Sequence, residues 1–237
     1  MVYESRDFLI YFGKKDRSIC PKSFKKSRNS LELEKLSKEY NVSNFIVLDQ
    51  IHSNIGMSVD KTTFSFKKDS FFEYQGDFLV TDQKNIGLIV LTADCVPLVL
   101  YDFVNHVVSV IHAGWRGTFA GIIDQALKKM MNSYGSSTAN IKAFFGPSAQ
   151  SCCYQVEQDF VSLFQDKYGE VKEFFYRDNK IYFDNKLFLK QNLKKFGILE
   201  SNINFENSLC TICNKEFCSF RREKEQAQRQ ITMVVLR

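Results

Sequence analysis

Three side chains of the kinds that bind metal ions lie in two separate stretches of the chain. Cys95 and His112 stand near the two ends of "ADCVPLVLYDFVNHVVSVIHAGW" (93–115), and His52 stands in "DQIHSN", directly after a short apolar run. One cysteine and two histidines form a ligand set of catalytic zinc sites, which leave a fourth coordination position for water. Water in that position is acidified towards neutrality and becomes a nucleophile. The alternative interpretation is a core cysteine with two structural, hydrogen-bonded histidines.

The spacing of Cys95 and His112 predicts that they meet across a β-hairpin. The stretch 97–111 is typical of two strands joined by a turn at 102–105, and a symmetric register then places Cys95 directly opposite His112. Opposed Cβ atoms lie about 4.5–5.5 Å apart, which suits one ion bound by a sulfur at about 2.3 Å and a nitrogen at about 2.0–2.1 Å. His106 would lie about 17 Å away at the far end, at about 3.3 Å per residue. The histidine of "DQIHSN" therefore remains as the third ligand.

The composition of the chain favours a small-molecule site in a reducing compartment. The chain has 237 residues, is 44% hydrophobic and carries a net charge of +5, which is too small and too dispersed to predict nucleic-acid binding. The N-terminal residues lack the apolar region of a signal peptide, and no apolar run approaches about 18 residues, so we expect a cytoplasmic protein that does not enter a membrane. The seven cysteines are then expected to be reduced.

Short apolar runs and one amphipathic pattern predict a mixed α+β fold, and the lack of linkers and repeats predicts one domain over residues 1–237. Thr118 is a candidate N-cap of a helix whose apolar face includes Met131 and which ends at Gly135. Residues 14–29 are expected to be polar and irregular. The other predicted elements are helices at 30–40 (with Ser30 as N-cap), 157–168 and 184–196, and strands at 6–13, 44–50, 77–81, 86–92, 97–102, 107–111, 141–146, 203–206 and 230–236.

Four further residues are candidates for binding a substrate or carrying a proton. Arg116 lies in "GWRGT", where backbone N–H groups at a helix start and a guanidinium can receive an anion such as phosphate; a surface ion pair is the alternative. Asp77 and Asp94 are both candidates for the non-ligand acid that a zinc deaminase needs, and the sequence does not distinguish them. Ser148 in "GPSAQSCC" either lines the pocket or belongs to a proline-set turn.

The cysteine-rich segment "CTICNKEFCSFRRE" (210–223) admits two interpretations. Its three thiols have no evident fourth ligand, so packing is favoured over a structural zinc site, as it is for Cys152 and Cys153. Arg221 and Arg222 suit either a phosphate contact or a salt bridge.

Six motifs together resemble the multicopper polyphenol oxidase (laccase) family, also called the YfiH family, which includes purine nucleoside phosphorylase-type enzymes. The resemblance runs from about residue 45 to Arg229, and "ADC…HAGWRG" is its most specific part. The family's N-terminal pattern is not found in residues 13–30. The motifs are "QIHSN", "GDFLVTD", "TADCVPLVLYD", "HAGWRGT", "FFGPSAQSCCYQV" and "CTICNKEFCSFRRE".

The resemblance implies an α/β/β/α layered sandwich with one zinc ion in a cleft, and it implies the same three ligands that the spacing favours. Copper is the alternative metal. We therefore predict the following site residues: His52, Cys95, His112 and Arg116 as catalytic, the first three of them as metal ligands, and Arg116, Ser148 and Asp77 as substrate-binding.

The resemblance also implies phosphorolysis of adenosine, inosine and S-methyl-5′-thioadenosine to the free base and (methylthio)ribose 1-phosphate. Adenosine deamination through a metal-bound water is implied as well. The partners would be a purine nucleoside and phosphate, and the protein a monomer or a homodimer. Three alternatives stay open: an enzyme that edits peptidoglycan precursors, a copper-linked phenol oxidase, and a binding protein with structural zinc. Three histidines are too few for the several coppers of a laccase, although one copper ion could be held.

Overall fold

Two β-sheets stacked face to face form the centre of the structure, a computed structural model that describes residues 1–27, 30–42, 44–60 and 70–237. One apolar layer lies between the sheets and contains side chains from both. Helices cover the outer face of each sheet. The predicted α/β/β/α layered sandwich is therefore confirmed.

The strands and helices alternate irregularly along the chain. The strands are β1 (Val2–Glu4), β2 (Phe8–Phe12), β3 (Ser18–Ile19), β4 (Asn44–Asp49), β5 (Gly56–Ser58), β6 (Ser70–Gln75), β7 (Phe78–Thr81), β8 (Ile86–Thr92), β9 (Val96–Asp102), β10 (Val107–Ala113), β11 (Ile141–Phe145), β12 (Gln155–Val156), β13 (Phe175–Asp178), β14 (Lys180–Phe183), β15 (Ile203–Asn204) and β16 (Arg229–Leu236). The helices are α1 (Pro21–Ser27), α2 (Leu31–Tyr40), α3 (Trp115–Ala120), α4 (Ile122–Tyr134), α5 (Gln158–Tyr168), α6 (Asn185–Lys195) and α7 (Phe220–Glu223).

The two main sheets have mixed strand directions. In the first sheet the hydrogen-bonded order is β1–β2–β16–β8–β4–β6, and β3 also pairs with β16. In the second sheet the order is β15–β11–β9–β10–β7–β5. A third sheet, β12–β14–β13, shares an aromatic-rich cluster with α5. This third sheet was not predicted, because its strands are short and partly polar.

The alternation of side chains along each strand divides the apolar residues among three layers. In β2, Ile10 and Phe12 join the layer between the sheets, whereas Leu9 and Tyr11 join the layer under α1 and α2. Helix α4 packs its apolar stripe on the outer face of the second sheet, as its helical spacing predicts. Met131, which was predicted on that stripe, is instead 41% exposed.

The predicted hairpin of β9 and β10 is present, but its register differs from the symmetric one by two residues. His112 pairs with Pro97 rather than with Cys95, and the turn occupies residues 103–106 rather than 102–105. Cys95 lies just before β9 begins, so it stands diagonally across from His112.

Asp102 is the physical reason for this register. Its Oδ1 accepts hydrogen bonds from the backbone N–H groups of Val104 (2.9 Å) and Asn105 (3.1 Å), an arrangement that stabilises a turn after the aspartate rather than at it. Because side chains alternate with a period of two residues, a two-residue shift keeps Cys95 and His112 on the same face of the hairpin.

The helix predicted to start at Thr118 is two helices. Helix α3 begins after Gly114, and Thr118 lies buried inside it, with its N–H donating to the Gly114 carbonyl at 2.9 Å. Gly121 separates α3 from α4 because its backbone is left-handed (φ +84°), a conformation that glycine adopts without steric cost. Helix α4 ends at Gly135, as predicted.

Residues 14–27 are more regular than predicted. The last two residues of the predicted irregular segment, 28 and 29, lie outside the described residues. Residues 14–27 include β3 and α1, which begins at Pro21, a residue favoured at the first position of a helix. Phe24 is buried, and its ring centroid lies 4.9 Å from that of Phe71 in β6. Two apolar anchors, Ile19 and Phe24, in a polar segment give too weak a periodic signal for prediction.

The other predicted helices are present. Helix α2 follows Ser30, although the Ser30 side chain makes no capping hydrogen bond. Helices α5 and α6 begin within a residue of their predicted starts. Among the described residues, no helix is long and apolar enough to cross a membrane.

Candidate metal centre and its cavity

The three predicted ligands come from three elements and from both main sheets. His52 lies in the loop after β4 of the first sheet, Cys95 lies just before β9 of the second, and His112 lies within β10. One potential ligand atom from each of the three lies within 4.8 Å of the others. The two imidazole rings meet edge to face, with their centroids 4.8 Å apart. Such a set of one sulfur and two nitrogen donors suits a single divalent metal ion.

Asp77 holds both histidines in place through contacts with the His112 ring and the His52 backbone. Its Oδ1 lies 2.8 Å from His112 Nδ1 and accepts the backbone N–H of His52 at 3.0 Å. Its Oδ2 accepts the backbone N–H and the hydroxyl of Ser53 at 2.6 and 2.7 Å. A carboxylate on one imidazole nitrogen leaves the other nitrogen for the metal, which is a common arrangement around ligand histidines.

The placement of Asp77 does not fit the substrate contact predicted for it. The side chain is completely buried, and both of its oxygens are occupied by the histidine loop and His112. It is therefore a positioning residue for the metal ligands.

Two contacts hold the loop that carries His52, whose backbone is left-handed (φ +61°). The Gln50 amide donates to the Leu91 carbonyl at 2.9 Å and accepts the Leu91 N–H at 2.7 Å, as a neighbouring strand would. On the other side the Ser53 carbonyl packs so closely on Gly117 that a Cβ there would lie 2.6 Å from it. These two contacts hold the loop against β8 and α3.

Gly114 lies close to two of the candidate ligand residues, Cys95 and His52. A Cβ at this position would come within 3.0 Å of both the Cys95 sulfur and His52 Cδ2. Contacts of that length force neighbouring groups to move. The glycine between β10 and α3 therefore leaves the space that the three donors need in order to face one ion.

The charges of the site favour an ionised cysteine. Burial alone would raise the pKa of Cys95, but the neighbouring His112 and His52 outweigh it and lower that pKa to about 6. Burial would likewise lower the pKa of His112, but the Cys95 thiolate and the hydrogen bond to Asp77 raise it to about 9. A thiolate is the form of cysteine that binds metal ions, and a metal ion bound here would displace the proton that the raised pKa keeps on His112.

The donor atoms open into a cavity of about 560 Å³. Its walls combine cationic and aromatic side chains, and three arginines each place the guanidinium over an aromatic ring, a geometry that stabilises the cation. The three pairs, with the distance from the guanidinium carbon to the ring centroid, are Arg116 on Trp115 (4.4 Å), Arg221 on Tyr154 (5.0 Å) and Arg229 on Phe220 (5.8 Å).

The remaining predicted residues divide between the cavity and its support. Arg116 lies on the cavity wall. Asp94 also borders the cavity. Its oxygens accept hydrogen bonds from the Thr211 hydroxyl at 2.7 Å and from the Arg221 backbone N–H at 2.6 Å, so it stabilises the cavity wall. Ser148 is fully buried away from the cavity lining and pairs through its backbone with residues 209–211. Its predicted substrate contact does not fit this position.

Adjacent arginines in α7 point in different directions. Arg221 faces the cavity, where one of its nitrogens donates to the Gln155 carbonyl at 2.8 Å. Arg222 turns into the protein and donates to the carbonyls of Thr211, at 2.6 Å, and Phe217, at 2.5 Å. Arg222 also forms the predicted kind of salt bridge, with Glu223 at 2.8 Å, whereas the phosphate contact stays a prediction for Arg221.

Several residues of the cavity wall were not among the predicted site residues. Trp115 stands within "HAGWRGT" and Tyr154 within "FFGPSAQSCCYQV", so their aromatic rings were a usable signal. Asn185 gave no signal, because it starts α6 far along the chain. Its amide donates to the Ala113 carbonyl at 3.1 Å, and its buried Oδ1 has no partner among the described residues.

The fold and the site define a layered α+β protein with a cysteine-and-two-histidine group that could hold a metal ion, beside a cationic, aromatic cavity. The chain belongs to the multi-copper polyphenol oxidoreductase laccase family, whose model matches residues 25–237. A purine nucleoside phosphorylase from Borreliella burgdorferi is 36% identical over 183 residues, covering 75% of this chain and 74% of the relative.

Two further relatives match nearly the whole chain. A purine nucleoside phosphorylase from Clostridium acetobutylicum is 29% identical, covering 98% of this chain and 94% of the relative. The crystal structure of the hypothetical protein YfiH from Bacillus licheniformis superposes with a TM-score of 0.82 at 23% identity, covering 97% of this chain and 93% of that one. The structural likeness supports the fold assignment.

Proposed function

We propose that this chain is a zinc-dependent purine nucleoside phosphorylase that acts on adenosine, inosine and S-methyl-5′-thioadenosine. Relatives that match at 36% and 29% identity are named purine nucleoside phosphorylases, which supports a purine nucleoside enzyme in the broad sense. The observation that carries the proposal is that metal-ligand donors, three arginines and several aromatic rings share one cavity of about 560 Å³. That volume lies within the range of about 300–1,000 Å³ that small-molecule sites occupy.

The arginines supply the phosphate-binding part of the proposal. Arg116, Arg221 and Arg229 line the cavity, and a guanidinium matches phosphate with two parallel hydrogen bonds. In phosphorolysis a phosphate oxygen bonds to C1′ of the ribose, the bond from C1′ to the purine nitrogen breaks, and its electron pair leaves with the base. The base then takes up a proton, and ribose 1-phosphate is the other product.

The aromatic residues supply the purine-binding part. Trp115 and Tyr154 line the cavity, and each carries a guanidinium over its ring, so a purine would contact these cation–aromatic pairs rather than bare ring faces. Burial raises the pKa of Tyr154, and the nearby Cys95 raises it further, so the phenol stays protonated at neutral pH. We assign its hydroxyl the role of hydrogen-bond donor to the departing base or to phosphate.

His52, Cys95 and His112 would hold the metal ion. Their mixture of imidazole and thiolate donors suits zinc, with copper as the alternative. A divalent ion there supplies Lewis acidity, which stabilises negative charge on a neighbouring oxygen or nitrogen. Within the chain, Asp77 keeps His112 in the tautomer that this ligand role requires.

Adenosine deamination is the second reaction that we propose for the same cavity. It would use the same purine-binding surface but no phosphate, so the arginine variants should affect it less than phosphorolysis. Asp77 is buried, and Asp94 is engaged on both oxygens, so neither carboxylate fits the proton carrier in its present position. We assign that role to the Tyr154 hydroxyl or to a water beside it.

The test is product analysis with purified, zinc-loaded protein. With inosine and phosphate we expect hypoxanthine and ribose 1-phosphate in equal amounts; without phosphate, adenosine should give inosine and ammonia but no free base. Cys95→Ala should lose both activities, whereas Cys20→Ser, which changes an exposed cysteine elsewhere, should keep them. Base release that does not depend on phosphate, or full activity of Cys95→Ala, would contradict the proposal.

Tyr154→Phe tests the phenol separately from the ring. The variant keeps the stacking surface and removes one hydroxyl, so we expect kcat to fall about 10- to 100-fold, in line with the loss of one proton-transfer group, while the KM for the nucleoside changes little. Tyr176→Phe, on an exposed strand outside the cavity lining, is the matched control and should behave as wild type. An unchanged kcat for Tyr154→Phe would remove the hydroxyl from the reaction.

A further inference from the structure

Four cysteines outside the candidate metal centre come together from two distant turns. Cys152 and Cys153 lie in the turn that follows β11, and Cys210 and Cys213 lie in the turn that follows β15. All four sulfur atoms lie within 4.8 Å of one another. The fold thus supplies the two further ligands, Cys152 and Cys153, that Cys210 and Cys213 need. Cys218, the third thiol of that segment, is fully buried elsewhere.

We propose that these four thiolates bind one Zn²⁺ ion in a closed, structural site that is separate from the candidate metal centre. Four cysteines around one tetrahedral zinc are a common structural set, and a bond of about 2.3 Å to each sulfur places the sulfurs about 3.8 Å apart. The cluster already approaches that spacing. The pair at 210 and 213 also has the two-residue separation that recurs in zinc-binding turns.

The surroundings of the Cys210 sulfur suit a metal-bound thiolate. Burial alone would raise the pKa of this thiol, but backbone groups of Cys213, Gln150 and Ile212 lower it, because such contacts stabilise negative charge on sulfur. Two cations lie close by: Lys186 Nζ is 3.3 Å from the Gln150 side chain, and Arg222 donates to the Ile212 carbonyl at 2.8 Å. A zinc ion with four thiolates carries a net negative charge, which these cations would offset.

The four-cysteine site would stabilise one wall of the proposed catalytic cavity. The two turns are already joined by backbone hydrogen bonds between Ser148 and residues 209–211 and by the Gln150 amide on the Ser208 carbonyl at 2.5 Å. Tyr154 of the cavity directly follows one ligand pair, and Thr211, which holds Asp94, lies within the other. A four-ligand site has no open position for a substrate, so we assign it a stabilising role.

Metal content separates the two sites. For protein purified with zinc present, we expect about two zinc ions per wild-type chain and about one each for Cys95→Ala and Cys213→Ser. Cys20→Ser, which leaves both clusters intact, should keep the wild-type value. One zinc ion in the wild type with no loss in Cys213→Ser would overturn the proposal. Since Cys95→Ala still reports on the cysteine cluster, the outcome does not depend on the proposed catalytic function.

A second measurement keeps the proposal testable even if Cys213→Ser does not fold. Co²⁺ bound to Cys95→Ala should show the intense sulfur-to-cobalt charge-transfer bands and visible d–d bands of a tetrahedral four-thiolate site. Weak, octahedral-type spectra would contradict it. So would an intact mass, under non-reducing conditions, that is lower by two hydrogens for each disulfide, because cysteines paired with one another cannot bind zinc as thiolates.

Discussion

Asp77 shows how one buried residue can position the ligands of a candidate metal site without being a ligand itself. Its carboxylate contacts the imidazole of His112 and the backbone of His52 and Ser53 at the same time. The two ligand histidines, which belong to different sheets, are thereby held in one geometry. Interactions of this kind behind a ligand commonly change metal affinity by about 10- to 100-fold.

Asp77→Asn should weaken zinc binding by about 10- to 100-fold, because the amide cannot supply the same charge to the imidazole. The dissociation constant is measured by competition with a chromophoric chelator. Asp102→Asn is a matched control: it also changes a buried aspartate of the second sheet, but one that holds the hairpin turn. We expect it to lower stability and leave the zinc affinity unchanged; equal effects of the two variants on affinity would argue against the positioning role of Asp77.

Arg221→Gln and Arg222→Gln should differ although the residues are neighbours. Loss of the cavity-facing Arg221 should raise the KM for phosphate about tenfold or more, which corresponds to about 1.4 kcal/mol, with little change in stability. Loss of Arg222 leaves buried backbone carbonyls without their donor and should lower the free energy of unfolding by about 1–3 kcal/mol. Steady-state kinetics at varied phosphate and chemical denaturation measure the two effects. A reversed pattern would show that the phosphate contact is assigned to the wrong arginine.

At the scale of elements, the junctions between strands and helices determine the site. His52 follows β4, Cys95 precedes β9, and Gly114 joins β10 to α3. The positions of His52 and Cys95 therefore depend on where a strand begins or ends, and His112 is the last residue but one of β10. The close approach of Gly114 to two of the donors makes this junction the most sensitive of the three.

Gly114→Ala should reduce zinc affinity more than it reduces stability. The added methyl group would lie 3.0 Å from the Cys95 sulfur and from His52 Cδ2, so the donors must separate. Gly87→Ala is the control, since its Cβ would press on the Phe45 ring in the first sheet, away from the metal site. It should lower the melting temperature but leave zinc stoichiometry intact. Full zinc occupancy and wild-type affinity in Gly114→Ala would show that the donors tolerate the displacement.

The hairpin illustrates what could be predicted from sequence at this scale. The apolar pattern identified both strands and brought Cys95 and His112 to the same face. The register could not be derived from that pattern, because it depends on hydrogen bonds from Val104 and Asn105 to the Asp102 side chain. The break between α3 and α4 was not predicted for a similar reason. The spacing of apolar residues continues through Gly121, whereas the helical backbone is interrupted there.

At the scale of the whole molecule, stability and metal binding depend on different parts of one layer. The layer between the two sheets contains apolar side chains from β2, β8, β10 and β16. The candidate metal donors lie at one end of this layer, since His112 shares a face of β10 with Val108 and Val110. Variants in the middle of the layer should therefore change folding energy without changing the chemistry of the site.

Leu88→Ala should lower the free energy of unfolding by about 2–5 kcal/mol, as expected for a large core side chain that leaves a cavity. Leu88 is completely buried between the sheets, whereas Leu31, at the start of α2, is 65% exposed. Leu31→Ala should therefore cost much less. Chemical denaturation gives both values, and zinc per folded chain should stay the same in both. A comparable loss in the two variants would contradict the layer assignment.

The parts of the two sites that were not predicted come together through contacts between residues far apart in the chain. The motif-bearing residues His52, Cys95 and His112 were identified because each stands at a recognisable strand end. The four-cysteine cluster was not, because its two pairs are brought together only when β11 and β15 lie side by side. Asn185 reaches the cavity from α6 by the same kind of contact. Sequence spacing carries no information about such neighbours.

The position of β16 has a consequence for the synthesis of the protein. This strand, residues 229–236, lies between β2 and β8, which do not pair with each other. Until it emerges from the ribosome, the nascent chain presents two open strand edges, which are surfaces prone to association with other chains. We therefore expect the nascent chain to be most prone to association with other chains before residues 229–236 have left the exit tunnel.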